Sequence, residues 1–177
     1  MKMKKTDLQW APMYYDTYIE QVAEAELAGA LQQSLRALDE LDVERLAALA
    51  DQVYAPGKWT VRDVLQHLID TERIFNYRAL RMARQDETPL ASFDENRYAA
   101  VSGANGRPLA ALLSELRAVR LATLALFESF SDEMLSRRGV MWQYEMPVLA
   151  VGFIIAGHQN HHVRVLEERY FPLLQNA

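Results

Sequence analysis

The 177 residues contain no cysteine. That absence excludes a disulfide framework, a thiolate metal site and a cysteine nucleophile. Any metal must be held by nitrogen and oxygen, and any thiol chemistry must use a thiol from outside the chain. Glycine and proline are scarce, at 7 and 6. They fall mostly between stretches of helical periodicity, which is the punctuation of an all-helical chain. Basic charge is in deficit: 19 Lys and Arg against 24 Asp and Glu give a formal net charge of -5. A protein whose main partner is a phosphate backbone wants a basic face, so no nucleic-acid partner is expected. Long apolar runs are missing too. The longest, residues 148–156, is far short of a bilayer span, and the basic residues 1–5 lead into no apolar stretch of the signal-peptide kind. The expectation is a cytoplasmic protein without a membrane partner.

Half of the residues are hydrophobic and 24 % are charged, the balance of a globular chain with a core. The length fits a single domain over residues 1–177. Four long helices are expected. The first covers residues 14–38, with Tyr18, Val22, Ala25, Gly29 and Leu38 near one stripe. A short helix and a connection follow over 41–54, then a turn at 55–58. The second has the clearest start: Thr60 as N-cap, Asp63 three residues on as in a capping box, and Trp59 and Val64 placed to form a hydrophobic staple. It should run to about residue 85. The third starts at Pro108, and a short helical turn is expected at 131–133. The fourth spans 147–170 and stops at Pro172. Between the second and third, residues 87–107 form a long loop with a short helix near 95–101, and a loop of that length is often functional. Residues 139–146 read as aromatic-rich and irregular. The fold class is therefore all-α, a four-helix bundle with a long connection between helices 2 and 3.

All four histidines, His67, His158, His161 and His162, lie in the second and fourth of these helices. His158 and His162 differ by only about 40° in direction around a helix. Their rings can reach one ion together, the logic of paired ligands four residues apart. His161 faces a wetter flank beside Arg164 and Glu168. If the second and fourth helices face each other, His67 completes a three-histidine set, which leaves coordination positions open as catalytic sites do. Asp63 and Asp70 lie one turn either side of His67. Either could accept its second ring N–H and fix the tautomer, and Asp70 could instead be a fourth ligand. Thr71 and Arg78 share His67's side of the helix, and Arg78 could meet an anionic substrate group. Glu72 points about 140° away from His67, so an arginine partner suits it better than a metal. Trp142 and Tyr144 could line a pocket mouth. No catalytic side chain is assigned.

At these residues the chain resembles a known family. The run Pro56-Gly57-Lys58-Trp59-Thr60-Val61, leading into His67-Leu68-Ile69-Asp70-Thr71-Glu72, together with Gly157-His158-Gln159-Asn160-His161-His162, is similar to the motifs of the DinB-like (DinB/YfiT-like) superfamily of metal-binding four-helix bundles. Phe93-Asp94-Glu95-Asn96 in the long loop is similar as well. The resemblance covers about residues 12–170. It implies metal ligands at His67, His158 and His162, a nickel, zinc, manganese or iron ion, and often a homodimer. An ion on three neutral imidazoles keeps its charge and can activate water, so the expected activity is a metal-dependent hydrolase acting on an unidentified small molecule. The alternatives the resemblance leaves open are a thiol-dependent S-transferase of the bacillithiol or mycothiol type, using an external low-molecular-weight thiol, and a metal-binding bundle without catalysis.

Overall fold

The computed structural model describes residues 3–8, 13–141 and 143–175. Four long helices make the bundle: α2 (Leu27–Asp39), α4 (Val61–Ala83), α6 (Leu109–Glu128) and α8 (Val148–Val165). Shorter helices α1 (Met13–Ile19), α3 (Val43–Ala48), α5 (Glu95–Val101) and α7 (Asp132–Ser136) fill the connections. An antiparallel hairpin, β1 (Arg138–Met141) with β2 (Tyr144–Pro147), leads into α8, Arg138 opposite Pro147 and Met141 opposite Tyr144. α2 packs on α6 and α8, and α4 packs on the same two. The pairs α2/α4 and α6/α8 therefore lie across the diagonals, which an up-and-down bundle does not do.

Local chemistry sets most helix ends. Thr60 Oγ1 accepts from Asp63 N (3.1 Å) and Asp63 Oδ2 accepts from Thr60 N (3.0 Å), the predicted capping box. Asp94 Oδ1 accepts from Asn96 N and Arg97 N to start α5 at the predicted position. Ser131 caps α7. Gly57 takes a positive φ of 76° in the turn before α4, a conformation that costs glycine little.

Three expectations need correction. The first helix is not continuous over 14–38: residues 20–26 leave the helix between α1 and α2. The N-terminal segment takes the backbone groups of this break, with Lys5 N donating to Ala25 O, Leu27 N to Met3 O, and Lys5 Nζ to Val22 O. Residues 139–146 are not irregular but lie almost wholly in the hairpin. Strands of four residues are too short for period-two alternation to stand out, yet they turn Met141 and Met146 into the core and leave Val140 exposed. The last helix does not stop at Pro172. It passes into a π turn (Leu166–Tyr170) and a 3-10 turn (Phe171–Gln175), where proline in the first turn forfeits no needed donor.

The interior is stratified. One apolar cluster gathers Leu27, Leu31, Phe75, Met82, Phe127 and most of the first half of α8. A second gathers Leu38, Val64, Leu65, Leu112, Leu116 and Tyr170. Between them each long helix contributes buried polar residues: Ser34, then Thr71 and Glu72, then Arg120 and Thr123, then His158 and Gln159. Arg120, fully buried, gives Nε to Glu72 Oε1 (2.7 Å) and Nη2 to Glu72 Oε2 (2.9 Å), and a third N–H to Ser34 Oγ. Thr123 donates to the same carboxylate, and Gln159 Nε2 reaches Ser34 O (2.7 Å). This bidentate pair is the arginine partnership expected of Glu72.

Removing one member leaves an uncompensated buried charge. Glu72→Ala should cost about 3–5 kcal/mol in urea denaturation, while the double variant Glu72→Leu with Arg120→Met should recover most of that loss. Equal losses in the single and double variants would contradict this account.

Candidate metal centre

α4 and α8 run side by side and turn three imidazoles toward one point. His67 Nε2 lies 3.0 Å from His158 Nε2, and His162 Nε2 lies 3.1 Å from the same atom. One donor atom from each ring falls within 4.8 Å of the others. His67 and His158 are each 7 % exposed. Their surroundings are aromatic. Trp59 packs on His67 with ring centroids 4.7 Å apart, and Tyr18 stands edge-on to His158 at 5.1 Å. Tyr18 comes so near because α8 carries Gly157: a Cβ there would run into the Tyr18 backbone carbonyl. That glycine brings α1 down onto the histidine helix.

Burial holds all three rings neutral. It pushes His67 down to about 4, helped by the field of His161, and His162 down to about 3, helped by His67 and His161. His158 is driven well below its ordinary value, first by burial, then by the neighbouring histidines and Arg120. Removing charged imidazole from water is the dominant cause in each case. The ring nitrogens at 3.0 and 3.1 Å cannot all satisfy one another, because His158 Nε2 has either one proton or one lone pair to offer. A cation at the shared point satisfies three lone pairs at once. Two nitrogens bound to one ion at about 2.0–2.1 Å stand roughly 3.0–3.4 Å apart, so the donor set fits a divalent ion.

The expected supports of His67 sort differently. Asp63 is committed to the cap of α4 and to Asn105. Asp70 accepts from Gln66 Nε2 (2.9 Å), and it belongs to no described metal-ligand group. Both acids are taken up by these partners, and among the described residues no hydrogen bond joins either to His67. Thr71 meets the ring instead: its Oγ1 is 3.4 Å from His67 Nδ1. A ring N–H donated from Nδ1 to that hydroxyl leaves Nε2 as the lone pair. His161 is not among the three converging nitrogens; half-buried, it stands edge-on to His162 with ring centroids 5.1 Å apart, its Nδ1 3.5 Å from Gln21 Nε2. Tyr144 stands edge-on to Tyr15 rather than at a pocket mouth, and Trp142 lies outside the described residues.

Two cavities flank the imidazoles. One, of about 330 Å³, is walled by Tyr15, Tyr18, Phe75, Arg78 and Phe93 and reaches His158. The other, of about 260 Å³, opens beside Trp59, His161 and His162. Glu95, at the start of α5, lines both. Burial and the neighbouring Asp94 raise its carboxyl above the ordinary range. Sequence reasoning placed Tyr18 on a helix stripe and Trp59 in a staple and a family motif, and gave neither of them, nor Glu95, a role at the site. The one trace of Glu95 was the Phe93-Asp94-Glu95-Asn96 run in a long loop.

Comparison with known proteins agrees with this architecture. A family profile described as the DinB superfamily matches residues 7–166. A Bacillus licheniformis protein named as a candidate metal-dependent hydrolase is 29 % identical over 127 residues, covering 70 % of this chain and 69 % of its own length. The structure of YfiT from Bacillus subtilis superposes with a TM-score of 0.68 at 19 % identity, covering 93 % of this chain and 91 % of that one. Its description is a candidate metal-dependent hydrolase with an unusual four-helix bundle topology.

The neutral rings make stability pH-dependent in chelator-treated protein. The unfolded chain binds protons near 6.5, while the folded His67 and His162 do so only near 4 and 3. Stability should be full above about pH 6.5 and fall as the pH drops below it, on the order of 2 kcal/mol for each ring by about pH 5. Urea midpoints measured across that range check this, and a flat profile would count against buried neutral rings.

Proposed function

The chain belongs to the DinB superfamily, and we propose that it is a metal-dependent hydrolase of a small molecule, with one divalent ion held by His67, His158 and His162. The observation that carries the reading is the convergence of three neutral imidazoles, two buried and His162 partly so, with the His67 and His162 nitrogens 3.0 and 3.1 Å from that of His158 beside a cavity. The names of the Bacillus relatives point the same way.

Such an ion supplies Lewis acidity, polarising a carbonyl or phosphoryl oxygen and making water a nucleophile near neutral pH. The chain supplies the rest. Burial keeps the three rings deprotonated, so metal binding competes little with protons near neutrality. Thr71 and the Trp59 ring hold His67 in one orientation. The phenols of Tyr15 and Tyr18 are pushed up to about 12 by burial and stay protonated, as hydrogen-bond donors into the cavity. Glu95 is the group suited to move a proton: it lines both cavities, and desolvation and Asp94 raise its pKa toward the working pH.

The thiol-transferase alternative rests on the family resemblance alone. It needs a thiol that this cysteine-free chain does not contain, and no feature of either cavity selects one. Hydrolysis needs only the ion, water and the residues named.

Two measurements test the reading. Alanine at His67, His158 or His162 should reduce bound zinc or nickel from one per chain to well below stoichiometric, as read by elemental analysis of dialysed protein. Metal content unchanged in all three variants would overturn the assignment. On any ester or amide that the wild type hydrolyses, Glu95→Gln should lower kcat by about 10²–10⁴ with metal content intact. An unaltered kcat would remove Glu95 from the mechanism.

A further inference from the structure

Arg78 is a buried cation without a counter-ion. It is 4 % exposed, and no carboxylate pairs with it among the described residues. One N–H goes to the Ala91 carbonyl (2.8 Å), and the guanidinium carbon lies 5.8 and 5.6 Å from the centres of the Phe75 and Phe93 rings. Aromatic faces attract a cation, but neither they nor one carbonyl neutralise it. Burying an unpaired charge is expensive, and burial does lower the pKa of this guanidinium. The other large buried cation, Arg120, shows the usual solution, a bidentate carboxylate.

Arg78 also lines the cavity that reaches His158, together with Thr71 and Phe75 of its own helix. Along α4 the residues 67, 71, 75 and 78 follow spacings of four, four and three, one face of the helix. The carboxylates of that cavity do not fill the role of partner: Asp94 caps α5, and among the described residues no ion pair joins Glu95 to Arg78. The phenols of Tyr15 and Tyr18 add donors around the same space.

We propose that Arg78 is the anion anchor of this cavity and that the substrate is a small molecule with an apolar or aromatic body and one anionic group, a carboxylate or a phosphate. The assignment rests on the metal-centre reading for where the reaction occurs. The guanidinium fork matches either anion bidentately. The Phe75 and Phe93 rings contact the body, and the opposite end of the molecule lies toward His158. The Phe75 ring centre lies 5.8 Å from the guanidinium carbon and 6.5 Å from the His158 ring centre, so a small molecule that meets Arg78 can also reach the metal centre.

The test compares phenylacetate, phenyl phosphate and the neutral phenylacetamide by ligand-observed NMR titration, on zinc-loaded and on chelator-treated full-length protein. Wild type should bind at least one anion about tenfold or more tightly than the amide, in keeping with a charge-assisted hydrogen bond. Arg78→Gln should shrink that preference to within about twofold without changing zinc stoichiometry. Arg78→Lys, which keeps the charge and loses the fork, should fall between them and serves if the glutamine variant does not fold. Equal binding of anions and amide, no binding of either anion up to about 10 mM, or a preference that survives Arg78→Gln through coordination to zinc would overturn the proposal. Failure to bind zinc would strike the metal-centre reading instead, and the titrations of chelator-treated protein keep the two apart.

Discussion

The buried pair between Arg120 and Glu72 sets the arrangement on which the site depends. A fully buried guanidinium needs its charge met inside the protein, and the carboxylate that meets it sits on α4, facing α6. Glu72 and His67 are five residues apart, a rotation of about 140° around the helix. With Glu72 turned toward α6, His67 is turned toward α8, the helix that carries His158 and His162. Ser34 of α2 and, through its carbonyl, Gln159 of α8 join the same network. The polar layer thus ties all four helices together at one level and fixes the rotation of the helix that completes the centre.

The stratified interior has a functional consequence. Two apolar clusters, above and below, supply most of the burial that holds the bundle together. The layer between them holds polar groups whose desolvation must be offset by partners. Arg120, Glu72, Thr123 and Ser34 find partners in one another. The three imidazoles do not, because their nitrogens meet with too few protons to share. Arg78, a turn and a half beyond Glu72 on α4, lacks a carboxylate among the described residues. His158, His162 and Arg78 border the cavities, where an ion and a substrate would meet them.

The connections are built for the same purpose. Gly157 lets the backbone of α1 press against α8, so Tyr18 walls His158. The capping box at Thr60 sets where α4 begins, and the preceding turn lays Trp59 over His67. The long segment between α4 and α6, with α5, brings Phe93 to one of the cavities flanking the histidines and Glu95 to both. The placements of Tyr18, Phe93 and Glu95 bring together residues far apart in the chain.

What the sequence determined by itself is what depends on neighbours within a turn or two. The capping box of Thr60 and Asp63, the start of α5 at Glu95, the helical periodicity of four long segments and the shared face of His158 and His162 are all local, set by backbone geometry and short-range hydrogen bonds. The motifs around Lys58-Trp59-Thr60 and His158 to His162 added the family and, with it, the pairing of His67 with the other two. Tertiary structure decided the rest. The break between α1 and α2 arises because residues 3–5 take its backbone hydrogen bonds. Thr71, and not Asp63 or Asp70, stands at His67 because both acids have partners of their own. Arg78 became a buried cation only when Phe75, Phe93 and the 84–94 segment closed around it. Such outcomes turn on competition among distant groups for the same hydrogen bonds and the same space, and spacing along a chain does not record that competition.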